Sequence, residues 1–306
     1  MRAAVIDVGS NSVRLLLADA VDVHGARGER VVTVTGLRRG AAVDGTLTHG
    51  ALARLDACLD GYGARVRAAG SPPLVAVGTA AVREAPNRDD VQDIAVRRLG
   101  APLQVLSGQR EAALSFMGAR LVLPGAQGPC RVIDIGGGST EVVEGDAAGP
   151  LRAVSLALGV NRQGDMVSGD PPAPAEVMAV QDAARRMVAG ATADFRGEGP
   201  LIGVAGTVTT VAAVMAGRYD PDEIHGMVIT RADVESVRDH LAGMDAATRA
   251  GVPGLHPDRV GVIVPGLAIL AGCLHALGDE RVVVSERDIL DGVAMEAVAG
   301  AGAPGE

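Results

Sequence analysis

The sequence predicts an α/β chain made of two similar domains, and three observations carry that prediction. Runs of β-branched residues of strand length alternate with helical patterns along all 306 residues. One phrase is written twice, 127 residues apart: Val5-Ile6-Asp7-Val8-Gly9-Ser10-Asn11-Ser12 returns as Val132-Ile133-Asp134-Ile135-Gly136-Gly137-Gly138-Ser139. A second pair follows in the same order, Leu74-Val75-Ala76-Val77-Gly78-Thr79-Ala80 and Leu201-Ile202-Gly203-Val204-Ala205-Gly206-Thr207, with one inserted residue. Duplication of one α/β domain accounts for both pairs together. Chance strand–turn composition accounts only for the second pair taken alone.

The elements follow in order. Strands are predicted at 3–8, 13–19 and 30–35, then a helix at 49–69 whose apolar positions are Leu52, Leu55, Leu59, Tyr62 and Val66. Pro72-Pro73 closes that helix, and Leu74–Val77 reads as a short buried strand. A helix at 88–99, a strand at 103–106 and a helix at 109–121 complete the first domain, 1–122. The Pro/Gly-rich stretch 123–130 breaks the chain, and the second domain, 130–306, opens on the second copy of the phrase. Strands are predicted there at 140–144, 152–157, 201–204 and 281–284. Helices are predicted at 174–195, 206–216, 231–243, 257–277 and 288–299.

Composition narrows the class. Hydrophobic residues make up 48% of the chain, yet there are two Phe, two Tyr and no Trp, so the cores must be aliphatic. No uninterrupted run of about 18 apolar residues is present to predict a membrane span, and the first residues enter a strand without the pattern of a signal peptide. Cys58, Cys130 and Cys273 are far apart and lack CxxC spacing, which predicts buried reduced thiols in a cytoplasmic protein. A net charge of −9 without a basic stripe argues against a nucleic-acid footprint. All the basic residues are Arg, and the absence of Lys removes a Walker-type loop and Schiff-base chemistry.

The repeated phrase carries chemistry. Each copy is a buried strand entering a tight turn of Gly and small hydroxyl residues, whose amides can receive an anion. Gly9, Ser10, Asn11 and Ser12, and in the second copy Gly136, Gly137, Gly138, Ser139 and Thr140, are therefore candidate phosphate binders. Gly206 and Thr207 open a helix after a strand, where the helix N-terminus also favours an anion. Asp7 and Asp134 stand at equivalent strand ends. If they converge, a Mg²⁺ ion between them relieves a repulsion of roughly 3 kcal/mol at about 5 Å and an effective dielectric of about 20. Otherwise each caps its own loop. Glu111 opens a helix just before the interdomain break, as a general base or as a first-turn acid stabilising the helix dipole. Arg83 stands ready to neutralise a transferred phosphoryl group or is an ordinary surface arginine. The six His show no metal-ligand spacing.

Six pieces taken in order resemble the exopolyphosphatase / guanosine pentaphosphate phosphohydrolase family of the actin-like superfamily, over nearly the full chain. They are Ile6–Leu15, Gly78–Asn87, Ser107–Ala112, Asp134–Glu141, Gly206–Thr210, and Asp258-Arg259 followed by Val264-Pro265-Gly266. The resemblance implies two ribonuclease-H-like domains with an interdomain cleft, and Mg²⁺-dependent removal of a terminal phosphate, Mn²⁺ being an alternative ion. It implies that Glu111 is the catalytic glutamate, that Asp7 and Asp134 are metal-associated, and that Arg83 and Glu141 are cleft residues, Glu141 grouped with the metal carboxylates. The helix at 288–299 is expected to pack back onto the first domain, and a homodimer is a family-level expectation. The family often has two adjacent acids where this chain has Arg110-Glu111; Arg110 favours an ionised Glu111 if the side chains approach. Longer members add helical domains, so a two-domain chain is expected to take short inorganic polyphosphate, with guanosine pentaphosphate or another nucleotide as alternatives. A non-catalytic nucleotide sensor on the same fold is the rival from another class.

Overall fold

The computed structural model describes every residue except 1, 23–24, 43, 124, 126, 165 and 302–306. The chain divides into two compact units, one running to Gly118 and resuming at Ile289, the other Ala119–Asp288.

The first unit is built on β1 (Ala3–Val8), β2 (Ser12–Asp22), β3 (Gly25–Val34), α1 (His49–Ala68), β4 (Leu74–Gly78), α2 (Ala80–Arg83), α3 (Arg88–Leu99), β5 (Gln104–Val105) and α4 (Gly108–Ala119). Its sheet runs β3-β2-β1-β4-β5, antiparallel through the first hairpins and parallel from β1 to β5. β1 is buried throughout because helices cover both of its faces. Ala4, Ile6 and Val8 join one core with Leu55, Leu59 and Tyr62 of α1 and Ile94 of α3. Ala3 and Val5 point the other way, into a core with Leu106 and Leu114.

The second unit contains β6 (Cys130–Ile135), β7 (Thr140–Asp146), β8 (Gly149–Leu156), α5 (Val160–Gly164), α6 (Pro174–Ala191), β9 (Leu201–Val204), α7 (Ala205–Ala216), α8 (Pro221–Ile224), β10 (Val228–Thr230), α9 (Arg231–Ala242), α10 (Ala246–Arg249), α11 (Ile263–Leu277) and β11 (Arg281–Val284). Its sheet runs β10-β11-β9-β6-β7-β8. α11 is buried along most of its length and packs on α6 and α9. The final helix, α12 (Ile289–Ala301), belongs to the first unit and not to 130–306. Its Ile289, Leu290 and Val293 enter the core shared with Val5. Asp291, fully buried, accepts the Ala26 N–H at 3.1 Å and Arg30 Nη2 at 2.7 Å, tying the helix to β3.

The internal repeat is visible in the strand registers. Asp7 pairs with Arg14 and Val77, and Asp134 pairs with Glu141 and Val204. Each second-unit partner is 127 residues after its first-unit counterpart, so the Leu74 and Leu201 strands align without an insertion.

Elements differ from expectation mainly at their ends. The predicted helix at 257–277 begins only at Ile263, because Pro257–Arg259 forms a separate 3₁₀ turn. The helix expected to 121 ends at Ala119 and tightens into 3₁₀ geometry over Arg120–Val122. β10 and α5 were not predicted; at three and five residues they are too short to show a period.

Candidate active site

In the first unit the candidate residues gather at the carboxyl ends of β1, β4 and β5, the end of a parallel sheet where ligands commonly bind. Asp7 lies on the α4 face of β1, and directly across the ladder is Arg14. Arg14 donates to Asp7 Oδ2 through Nε at 3.0 Å and Nη2 at 2.7 Å. Asp7 is buried, so this internal cation offsets the cost of its charge.

Glu111 sits in the first turn of α4, where the Ser107 carbonyl accepts its N–H at 2.9 Å. Arg83, at the end of α2, donates through Nη1 to Glu111 Oε2 at 3.0 Å and to the Leu106 carbonyl at 2.8 Å. The structure therefore brings the two candidate catalytic residues into one ion pair, with Glu111 only 9% exposed. Arg110, the neighbour in sequence, instead pairs with Glu296 on α12.

The loop after β1 has its carbonyls engaged and its amides open. Gly36 N–H donates to the Asn11 carbonyl at 2.8 Å, Arg38 N–H to the Ser10 carbonyl at 3.2 Å, and Gly9 N–H to the Ser12 carbonyl at 3.0 Å. Among the described residues, the N–H groups of Ser10 and Asn11 meet no acceptor. Such a row of unsatisfied donors is of the kind that suits an anion.

The second unit repeats the device. Gly136 N–H donates to the Ser139 carbonyl at 2.9 Å, Val160 N–H to the Gly136 carbonyl at 3.1 Å and Asn161 N–H to the Gly137 carbonyl at 2.9 Å. Arg162 Nε takes the Gly138 carbonyl at 2.9 Å. Again among the described residues, the N–H groups of Gly137, Gly138 and Ser139 have no acceptor. Gly159 makes the close approach possible, since a Cβ there would stand 2.5 Å from the Gly137 carbonyl oxygen. Thr140 does not face the loop interior with its hydroxyl, which donates to the Leu158 carbonyl at 2.7 Å and fixes the same turn.

Asp134 and Glu141 face each other across β6 and β7, at the positions Asp7 and Arg14 hold in the first unit. Glu141 is buried and its Oε1 accepts the Ser155 hydroxyl at 2.6 Å. The second copy thus sets acid against acid where the first sets acid against base. Among the described residues no set of three His, Cys, Asp or Glu side chains gathers for a metal ion. Two hard carboxylates do suit Mg²⁺, which commonly takes one or two protein oxygens and fills its shell with water and phosphate oxygens.

Gly206 and Thr207 open α7 at the carboxyl end of β9. The residue before them, Ala205, has φ +64°, a left-handed conformation costly for a side chain with a Cβ. Arg259 packs its guanidinium against Gly206, where even a methyl group would overlap Nη1. Arg14, Arg162 and Arg259 were not singled out individually as site residues, and the sequence signal for the first was its place opposite Glu141 in the repeat. The three cysteines are buried and unpaired, and burial pushes the Cys273 thiol up to about 12.

Comparison with known proteins agrees with this architecture. The model of the Ppx/GppA phosphatase family matches residues 29–299. The chain belongs to the Ppx/GppA phosphatase family. Exopolyphosphatase 2 of Mycobacterium tuberculosis is 34% identical over an alignment of 313 positions, covering 96% of this chain and 98% of that protein. Among solved structures, an exopolyphosphatase-like protein superposes with a TM-score of 0.90 at 28% identity, covering 98% of this chain and 100% of the other. The Aquifex aeolicus member of the family superposes with a TM-score of 0.83 at 24% identity over 99% of each chain, a likeness of fold. The two α/β units match those of the family.

Proposed function

We propose that the chain is an exopolyphosphatase, removing the terminal phosphate of short inorganic polyphosphate by in-line attack of water. The observation that carries this reading is the two similar loops at Gly9–Ser12 and Gly136–Thr140, each with carbonyls tied back and, at Ser10 and Asn11 and at Gly137, Gly138 and Ser139, amides that meet no acceptor among the described residues. Each such loop suits a phosphate group.

The roles follow from the side chains. Glu111 orients water and accepts its proton as the new P–O bond forms and the anhydride P–O bond breaks, the shortened polyphosphate leaving with the bridging oxygen. Arg83 holds the Glu111 carboxylate, and its guanidinium can also offset charge growing on the transferred group. The loop amides of Ser10, Asn11, Gly137, Gly138 and Ser139 bind phosphate oxygens. The amides at Gly206 and Thr207 supply a further anion position. Asp134 and Glu141 would hold Mg²⁺, with Mn²⁺ as an alternative; Asp7 is the weaker candidate ligand because Arg14 already neutralises it. When bound, that ion supplies charge neutralisation on the phosphates.

The test is Glu111→Gln, which keeps the size of the side chain and removes the base. Phosphate release from tripolyphosphate should fall by at least about a hundredfold with the thermal transition retained. Turnover within a few-fold of wild type would remove Glu111 from the chemistry. Guanosine pentaphosphate is the second reading, carried by the match to the Ppx/GppA phosphatase family as a whole.

A further inference from the structure

The segment after β3 does more than tie back the first loop. It carries two arginines, Arg38 and Arg39, on a turn fixed from two sides. Arg54 of α1 donates to the Thr35 carbonyl at 2.6 Å through Nε and to the Gly36 carbonyl at 3.1 Å through Nη2. The turn in turn donates Gly36 N–H and Arg38 N–H to the loop carbonyls of Asn11 and Ser10. Gly36 is left-handed at φ +54°, and Arg39 lies over it, with Nε 3.3 Å from where a Cβ would stand.

The charges on this turn are under-used. Arg39 is exposed, and among the described residues its guanidinium meets no carboxylate and no other acceptor. Arg38 is only 20% exposed and reaches Glu84 at 3.9 Å, too far for a hydrogen bond. Its Nη1 is buried without a hydrogen-bond partner. A buried guanidinium N–H without an acceptor is costly unless a ligand supplies one.

The second unit gives the contrast. There the carbonyl of Gly138 is taken by the side chain of Arg162. In the first unit the equivalent carbonyl, of Asn11, is taken by the backbone of Gly36. The backbone does the structural work, which leaves the side chains of Arg38 and Arg39 available beside an anion loop.

We propose that Arg38 and Arg39 form a phosphate subsite that binds the phosphate adjoining the one held by the Gly9–Ser12 loop. The ligand class is a condensed phosphate chain, and the proposal rests on the functional reading above. Both guanidiniums stand on a turn hydrogen-bonded to the loop, and each can donate charge-assisted hydrogen bonds to phosphate oxygens.

The experiment compares wild type, Arg38→Ala, Arg39→Ala and Arg39→Lys on tripolyphosphate and on long-chain polyphosphate. KM for both substrates should rise about tenfold in each alanine variant, the size of one hydrogen bond to a charged group, with kcat falling far less. Arg39→Lys should recover part of the loss. Arg39 is exposed, so its variants fold and decide the matter even if Arg38→Ala is unstable. An unchanged KM in Arg39→Ala overturns the subsite. If wild type releases no phosphate, the functional reading fails separately. Calorimetric binding of tripolyphosphate then tests the arginines: about tenfold weaker binding by Arg39→Ala supports the subsite, and equal or absent binding overturns it.

Discussion

Arg83 reaches Glu111 at 3.0 Å with the same Nη1 that donates to the Leu106 carbonyl at 2.8 Å. One nitrogen thus joins the candidate base to the strand end from which α4 departs. The planar guanidinium keeps both bonds on Nη1 and still presents three further N–H donors in a fixed fork, where an ammonium would have one donor left on a flexible stem. Arg83→Lys is therefore expected to lower kcat on tripolyphosphate by about tenfold or more while shifting the melting temperature by only a few degrees. Steady-state kinetics beside thermal melts check it; equal kcat in the variant would make Arg83 a structural residue only.

The Asp7–Arg14 pair predicts a stability effect. Arg14→Gln leaves a buried carboxylate without its cation and should destabilise the chain by about 3 kcal/mol in denaturant unfolding. The double variant Asp7→Asn/Arg14→Gln removes both charges and should lose less than Arg14→Gln alone. A larger loss in the double variant would contradict the ion-pair account.

Gly159 predicts an effect on the second loop. An added methyl would meet the Gly137 carbonyl oxygen at 2.5 Å and the Gly138 carbonyl carbon at 2.6 Å. Gly159→Ala should push the loop out of shape, raising KM for phosphorylated substrates by about tenfold and costing about 1–3 kcal/mol of stability. A variant with wild-type KM would show that the loop's form is not needed for binding.

Asp56 gives the pH dependence of a structural contact. Hydrogen bonds from Arg98, and then from Arg97, hold its carboxyl well below the usual carboxylate range. These bonds join α1 to α3. Because the folded value is depressed, the stabilisation is present above about pH 4 and is lost as pH falls through and below that point. The difference in melting temperature between wild type and Asp56→Asn should be largest near neutral pH and shrink as the medium is acidified below about pH 4. A difference that stays constant down to strongly acidic pH would contradict the linkage.

The parts legible in sequence were those with a period or a repeat. The helix at Arg88–Leu99 has the expected bounds because Asn87 precedes it, Asp89 and Asp90 suit its first turn, and left-handed Gly100 stops it. The repeated phrase anticipated both loops, and its 127-residue offset makes Arg14 and Glu141 equivalent positions; that they pair with Asp7 and Asp134 across the ladders comes from the strand registers. Pairings between residues distant in sequence were not legible. Nothing local says that Glu111 meets Arg83 and not its neighbour Arg110, which goes to Glu296. The tying back of the loops by Gly36, Arg38, Val160 and Asn161 is made of backbone bonds, and those leave no trace in side-chain identity.

The central claim is that the chain hydrolyses condensed phosphate, and phosphate release from a panel of substrates tests it most directly. Tripolyphosphate, long-chain polyphosphate and guanosine pentaphosphate should be compared side by side, each with Mg²⁺ and with the ion removed by chelation. The account predicts release that requires the ion and is fastest, by kcat/KM, on tripolyphosphate. Binding without release from any of the three would contradict it and leave a sensor in place of an enzyme.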